Sequence, residues 1–236
     1  MKYVQTIKDA NKLQEIQAGL EADESRRGRR MFLMFMTGIY TGLRISDIVK
    51  LKAGNVRGDS IILREQKTGK ASVIPVAVIL QRVIADRTAD MSDDDFLFVS
   101  RARGKDGKPK HITTRTAYDD MNEIARRFGL RGSIGCHTMR KTFGYWHYQK
   151  NHDLEILRQW FNHSTVNVTR RYIGVDVEER RRSVQGFSLG YEPTTRARPM
   201  KAAAVPVEIV RQDKTENGRK YGQAAQIKRK KKSSTL

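Results

Sequence analysis

Cysteine is almost absent from this chain of 236 residues, since Cys136 is the only one. A lone cysteine excludes an intramolecular disulfide and a zinc site built from cysteines. Long apolar runs are also missing. No stretch reaches the roughly 18 residues of a transmembrane helix, and the beginning of the chain lacks the pattern of a signal peptide. The sequence therefore predicts a cytoplasmic protein that makes no use of a membrane.

Acidic residues are scarce relative to basic ones. The 46 Lys and Arg outnumber the 26 Asp and Glu, which gives a net charge of +20 and a pI near 10.3. This imbalance indicates a polyanionic partner, most simply nucleic acid, although a ribosomal-type protein or a membrane-surface binder shares it. Hydrophobic residues make up 38% of the chain, enough for one domain with a proper core.

The composition changes near residue 190. Residues 191–236 hold twelve Lys and Arg against four Asp and Glu, which leaves +8 there and +12 in residues 1–190. Such a segment cannot bury enough apolar surface to fold alone. We therefore predict a domain over 1–190 and a basic, at least partly disordered tail over 191–236. The candidate DNA-binding residues of this tail are Lys228, Arg229, Lys230, Lys231 and Lys232. The alternative is a tail that only improves solubility.

Hydrophobic periodicity and capping residues predict a mainly α-helical domain with a small antiparallel β-sheet, an α+β class. A β-hairpin is expected from strands 60–64 and 71–76, and a short apolar run at 96–99 leads into a polar loop over 104–110. The predicted helices are one opened by Thr6–Asp9 and ending near Leu20, then Met31–Tyr40, 46–51, 76–87, 113–129, 137–150, 153–161, 165–172 and 177–186.

Six residues, spread over most of this domain, share a capacity for phosphoryl chemistry. In chain order they are Arg44, Lys67, His137, Arg140, His163 and Tyr172. Arginines can clamp an anionic phosphate through paired hydrogen bonds, and a lysine and histidines can move protons. A phenol, whose pKa is near ~10, can attack phosphorus when surrounding charge favours its anion. The set contains every group needed to break and rejoin a phosphodiester without a metal or another cofactor.

The order and spacing of these residues resemble the tyrosine recombinase (phage integrase) family over roughly residues 1–187. The motifs that carry the resemblance are Thr41-Gly42-Leu43-Arg44-Ile45-Ser46-Asp47, Gln66-Lys67-Thr68-Gly69-Lys70, His137-Thr138-Met139-Arg140 and the stretch from Phe161 to Tyr172. Each motif alone is weak. Lys67 to Lys70 is also compatible with a plain hairpin turn, and Tyr172 with an aromatic side chain packed on the core.

The resemblance implies the integrase catalytic-domain fold and a role for each residue. Tyr172 would be the nucleophile that forms a 3′-phosphotyrosine, and Arg44 and Arg140 would clamp the phosphate. His163 would hydrogen-bond the phosphate, and His137 would assist proton transfer at the tyrosine. Lys67 would be the general acid. Asp47 matches an acidic position that supports the site without reacting.

One position departs from the family pattern, which usually has Leu-Gly before the second histidine. This chain has Phe161-Asn162 there. A helix must end at Phe161, and the next residue is expected to adopt a left-handed conformation, which asparagine tolerates better than other non-glycine residues. We therefore expect the substitution to be tolerated.

The resemblance also implies a function. We expect a site-specific recombinase that acts on double-stranded DNA as a homotetramer on two sites, with accessory DNA-bending proteins as possible partners, associated with the nucleoid. A nicking-closing enzyme of the type IB topoisomerase kind, a non-catalytic DNA-binding regulator and a basic structural protein are the alternatives. Arg44 comes too early to leave room for the DNA-binding domain that usually precedes it, which indicates a catalytic-domain-only recombinase or a fragment.

Overall fold

The computed structural model describes residues 4–64, 69, 71–187 and 190, without the side chains of residues 176–178. The sequence-predicted Lys67 and the tail residues Lys228, Arg229, Lys230, Lys231 and Lys232 lie outside this part of the chain. The helices are α1 (Ala10–Glu21), α2 (Arg26–Thr41), α3 (Ile45–Ile48), α4 (Val78–Thr88), α5 (Thr114–Arg127), α6 (Cys136–Asn151), α7 (Leu154–Phe161), α8 (Val166–Ile173) and α9 (Asp176–Val184). The strands are β1 (Ser60–Arg64), β2 (Ala71–Pro75), β3 (Val99–Arg103) and β4 (Pro109–His111). These elements confirm the predicted, mainly α-helical class with small antiparallel sheets.

Helix α2 forms the centre of the core, and it begins five residues earlier than predicted. Its N-cap is Ser25, whose hydroxyl accepts a hydrogen bond from the backbone N–H of Gly28 at 2.9 Å. Arg27 and Arg30 in the first turns donate to the carboxylate of Asp120, which is only 1% exposed. The sequence prediction followed the apolar run from Met31 and therefore missed the polar residues 26–30 at the start of the helix.

The corner between α2 and α3 positions Arg44. Gly42 ends α2 in the left-handed region at φ 63°, and a Cβ at this position would collide with the ring of Phe143. The predicted helix 46–51 was wrong at both ends, because α3 runs only from Ile45 to Ile48 and Ser46 is not its cap. The carbonyl of Arg44 accepts instead from the backbone N–H of Asp47 at 2.9 Å.

The two β-hairpins differ in how well the sequence predicted them. Strands β1 and β2 pair antiparallel with Ser60 opposite Pro75, which confirms the hairpin predicted from 60–64 and 71–76. Strands β3 and β4 also pair antiparallel, with Val99 opposite His111, around a turn between Arg103 and Pro109. The polar loop predicted over 104–110 contains this turn, but the prediction missed the strands on either side of it. These strands are charged and mostly exposed, so they lack the run of apolar and β-branched residues from which strands are recognised.

Two hydrophobic clusters hold the helices together. The larger one surrounds α2, where Met34 and Phe35 are fully buried. The smaller one joins α6, α7 and α8, and its buried residues are Phe143, Tyr148, Leu154, Leu157, Phe161, Ile173 and Val175. This second cluster fixes α8, the helix that carries Tyr172, against α6, the helix that carries His137 and Arg140.

The domain boundary predicted at residue 190 stays a prediction. One compact unit extends to Gln185, and the residues after it lie almost wholly outside the described part of the chain. Within the described residues, none of the helices combines the length and the apolar character that crossing a membrane requires.

Candidate active site

Helix α6 places His137 in its first turn and Arg140 one turn further on. Residues three apart share a face of a helix, so the two side chains are neighbours, as the sequence predicted. His137 is exposed, whereas Arg140 is only 6% exposed. The guanidinium of Arg140 donates to the carbonyl of Gly42 and, at 3.1 Å, to the carbonyl of Phe161. These bonds link α6 to the ends of α2 and α7 and fix the orientation of the arginine.

Arg44 converges on the same carbonyl as Arg140. Its guanidinium donates a long hydrogen bond of 3.5 Å to Phe161, the last residue of α7. Two guanidinium groups that meet at one carbonyl bring two positive charges together at the C-terminus of α7. An anion placed between them would lower the electrostatic energy of the site. The geometry therefore suits the binding of a phosphate group.

Asn162 adopts the left-handed conformation predicted for it. Its φ is 51° and its ψ is 48°, and its N–H donates to the carbonyl of Gln159 at 2.9 Å. The next residue, His163, donates its N–H to the carbonyl of Arg158, also at 2.9 Å. The chain therefore turns sharply after α7, and this turn directs the His163 side chain towards α8.

Because Asn162 holds a positive φ, we expect the sign of a mutational effect to depend on the side chain introduced. Asn162→Gly should preserve or slightly increase stability, and Asn162→Ala should lower the free energy of unfolding by about 1 kcal/mol, since alanine lacks asparagine's tolerance of this region. Urea denaturation of both variants measures the difference. Equal losses in both would mean that the side-chain contacts of Asn162, rather than its backbone conformation, determine stability here.

His163 is oriented by a residue that the sequence analysis did not single out. Its Nδ1 lies 3.0 Å from the hydroxyl of Thr169, which is fully buried. A threonine hydroxyl can donate or accept, so it can hold the imidazole in either charge state through Nδ1. Nε2 then lies on the opposite side of the ring. The sequence offered no signal for this pairing beyond the position of Thr169 one turn before Tyr172.

Tyr172 lies in the last turn of α8 and is partly buried. Its hydroxyl is 3.3 Å from Nδ1 of His137, and its ring centroid is 5.1 Å from that of His163, nearly edge to face. Phe161 packs against both rings, with its centroid 5.6 Å from that of Tyr172. The structure thus brings His137, Arg140, His163 and Tyr172 together, with Arg44 joined to them through the Phe161 carbonyl.

Asp47 and Cys136 lie beside two of these residues in sequence and structure. Asp47 is 5% exposed and lies in α3, directly after the corner that carries Arg44. Cys136 is partly buried, as predicted, and burial raises the pKa of its thiol to about 11. The thiol is therefore protonated at neutral pH and is a poor nucleophile despite its position beside His137.

Comparison with known proteins agrees with this geometry. The sequence profile of the phage integrase family matches residues 9–179. A probable integrase/recombinase of Bacillus subtilis (strain 168), YoeC, is 36% identical over 189 residues, which cover 79% of this chain and 98% of YoeC. The chain belongs to the phage integrase family, the tyrosine recombinases, which confirms the resemblance drawn from the motifs. Membership of this family supports an activity in site-specific DNA recombination.

Solved structures confirm the fold. The crystal structure of the XerA recombinase superimposes with a TM-score of 0.61 at 18% identity, over 79% of this chain and 66% of that one. The XerH site-specific recombinase, in a pre-cleavage complex with its difH substrate, gives a TM-score of 0.58 at 19% identity, over 78% of this chain and 55% of that one. The domain described above thus has the fold of a tyrosine recombinase catalytic domain. It spans about half to two thirds of these longer chains.

Proposed function

We propose that the protein is a site-specific recombinase that cuts and rejoins duplex DNA through a covalent bond between Tyr172 and a 3′-phosphate. The observation that carries this proposal is the contact of 3.3 Å between the Tyr172 hydroxyl and His137 Nδ1. This contact pairs Tyr172, the proposed nucleophile, with His137, the proposed proton-transfer group. His137 lies one helical turn before the buried Arg140. The net charge of +20 supports duplex DNA as the partner, and so does the complex of the related XerH recombinase with its difH substrate.

The proposed reaction is a transesterification. The Tyr172 oxygen forms a bond to the scissile phosphorus, the phenol proton passes towards His137, and the bond from phosphorus to the 5′-oxygen breaks. The leaving oxygen takes a proton from Lys67. Attack by a 5′-hydroxyl reverses these steps and releases the tyrosine. Because one phosphodiester replaces another, the cycle balances without an oxidant, a nucleotide or another cofactor.

The clamp supplies the electrostatic part of catalysis. Charge on the non-bridging oxygens grows as the phosphorus is attacked, and fixed donors aimed at those oxygens stabilise it. Arg140 is fixed by two backbone carbonyls, and His163 by Thr169. We assign Arg44, Arg140 and His163 to this role, with Asp47 supporting the corner that carries Arg44.

The proposed assembly is a homotetramer on two DNA sites. Recombination of two duplexes cuts four strands, and each protomer offers one Tyr172. The basic residues Lys228 to Lys232 are proposed to lie along phosphates, where they would add affinity without sequence preference.

A library of nicked duplexes with randomised sequence tests the proposal. A nick near the cleavage position leaves only a short fragment with the free 5′-hydroxyl after cleavage. This fragment diffuses away, so the reverse reaction cannot occur and the covalent adduct is trapped. Adducts precipitated with detergent are then sequenced. We expect enrichment of one recurring sequence, and recombination between two copies of it in a plasmid. The topoisomerase-like activity would instead trap DNA without sequence preference and would relax a supercoiled plasmid. Absence of any adduct would refute a covalent mechanism.

Lys67 can be tested separately, because its proposed role concerns the leaving group alone. We expect Lys67→Ala to cleave an ordinary substrate slowly and to cleave a substrate with a 5′-bridging sulfur at nearly the wild-type rate, since a thiolate leaves without protonation. Arg44→Ala is the matched control and should stay impaired on both substrates. Equal rescue of the two variants would mean that Lys67 is not the general acid.

A further inference from the structure

Lys141 is a buried lysine that the proposed mechanism does not use. It follows Arg140 on α6, and only 5% of its surface is exposed. Burial of an ammonium group costs several kcal/mol unless polar groups compensate it. Here Nζ donates to the backbone carbonyl of Val4 at 2.9 Å and lies 5.3 Å from the centroid of the Tyr172 ring. A charge placed at this cost beside the candidate nucleophile needs an explanation beyond packing.

The position of Lys141 on its helix explains how it reaches Tyr172. His137 and Lys141 are four residues apart, so both project from the same face of α6. His137 meets the hydroxyl of Tyr172 at 3.3 Å, and Lys141 lies over the ring of the same residue. Adjacent turns of α6 therefore hold the phenol at two points, one of them through a cation–π contact.

We propose that Lys141 is a positioning residue for the nucleophile: its ammonium, anchored by the Val4 carbonyl, holds the Tyr172 ring and favours the negative charge that grows on the phenol oxygen during attack. The inference rests on the proposed function of Tyr172. A cation close to a phenol stabilises the anionic form, and the effect is stronger in a partly buried site than in water. Lys141 thereby assists the transfer of the phenol proton towards His137 without touching the DNA.

The assistance depends on pH. Burial lowers the pKa of the Lys141 amino group to about 8 from its ordinary value of 10.5. The Lys141 amino group is therefore mainly protonated and charged below about pH 8, and mainly neutral above it. Among the described residues, the titratable groups in contact with the Lys141–Tyr172 pair include His137 on α6, His163 before α8 and the Tyr172 phenol itself. All three remain in a Lys141 variant, as do Tyr145 on α6 and Lys8 on the N-terminal segment, so the ratio of wild-type to variant rates cancels their titration to a first approximation.

The decisive variant is Lys141→Met, which keeps an unbranched side chain in the buried site and removes the charge. The N-terminal segment keeps its other bonds to α6, from Ile7 N–H to Thr142 at 3.1 Å and from Trp146 to the Ile7 carbonyl at 3.0 Å. We expect a folded variant that binds DNA normally. At pH 7 its cleavage rate should fall roughly tenfold, the order that Coulomb's law gives for one charge at this range and an effective dielectric constant near ~40.

The matched control is Lys8→Met. Lys8 also donates to a backbone carbonyl, that of Gly174, at 2.9 Å, and it also lies over a tyrosine ring, 4.9 Å from the centroid of Tyr145. Lys8→Met therefore also removes a lysine that joins the N-terminal segment to the helices, but it leaves the contact between Lys141 and Tyr172 in place. We expect any effect of Lys8→Met on the rate to be the same at every pH.

The experiment is single-turnover cleavage of a saturating nicked substrate from pH 6.5 to 9.5. The ratio of wild-type to Lys141→Met cleavage rates should be about ten at pH 7 and should approach one above pH 9. Lys141→Arg stays charged over this range, so the ratio of its rate to that of Lys141→Met should not change with pH. A ratio of wild type to Lys141→Met that does not change with pH would reduce Lys141 to a packing residue and overturn the inference, whether or not the arginine variant folds. Absence of adduct from the wild type would refute the proposed function instead.

Discussion

Tyr172→Phe is expected to abolish covalent adduct formation while leaving the fold and DNA affinity intact. The substitution removes one oxygen, and the ring that packs against Phe161 and His163 remains. On a denaturing gel, a nicked substrate should give a band of slower mobility with wild-type protein and none with the variant. The loss of adduct should be complete within the detection limit of the gel, because no other group in the proposed reaction can form the phosphotyrosine ester with DNA.

The control for this prediction is Tyr145→Phe. Tyr145 is another partly buried tyrosine, and Lys8 lies over its ring. It has no part in the proposed chemistry, so its variant should form adduct at the wild-type rate. An adduct that persists in Tyr172→Phe would place the nucleophile elsewhere.

Arg44→Ala is expected to have the next largest effect, a fall in the cleavage rate of roughly 10²-fold or more, because it removes a donor that acts mainly on the charge of the transition state. Arg44 is half-buried and makes a long bond to the Phe161 carbonyl, so its removal should disturb the fold little.

Arg140→Ala should cleave DNA at least as slowly as Arg44→Ala. It should also lower stability, since the Gly42 carbonyl loses the Arg140 donor and the Phe161 carbonyl keeps only the long bond from Arg44.

Arg171→Ala is the matched control for charge near the site. Arg171 precedes Tyr172 on α8 and is exposed. Its loss removes the same charge, and at saturating DNA the cleavage rate should change by less than about threefold, the size expected for an exposed, screened charge. Equal defects in Arg44→Ala and Arg171→Ala, measured by single-turnover kinetics, would mean that overall charge rather than a fixed clamp determines the rate.

The sequence predicted those features of the site that depend on local rules. His137 and Arg140 share a helix face because they are three residues apart, and Asn162 takes a left-handed conformation because a helix must end before it. The hairpin of β1 and β2 followed from two short runs rich in β-branched and other apolar residues on either side of a glycine-containing turn. In each case a few consecutive residues contain all the physical information that the prediction needs.

Features that depend on tertiary contacts were not predicted. The carbonyl of Phe161 brings Arg44 and Arg140 together, although 117 and 21 residues separate it from them. Backbone carbonyls carry no sequence signal, so their role as anchors becomes visible only in the fold. The contact between Lys141 and Tyr172 is similar, since a lysine in a basic chain is expected at the surface.

Mapping the protein–DNA bond in the wild-type adduct tests the central claim most directly. Trypsin cleaves after Arg171 and Arg180, which isolates residues 172–180, a peptide with a single tyrosine. After nuclease treatment, mass spectrometry should find the nucleotide remnant on Tyr172, in this peptide or in one extended by a missed cleavage. A remnant on the peptide 142–150, which contains Tyr145 and Tyr148, or on any residue other than Tyr172, would contradict the account.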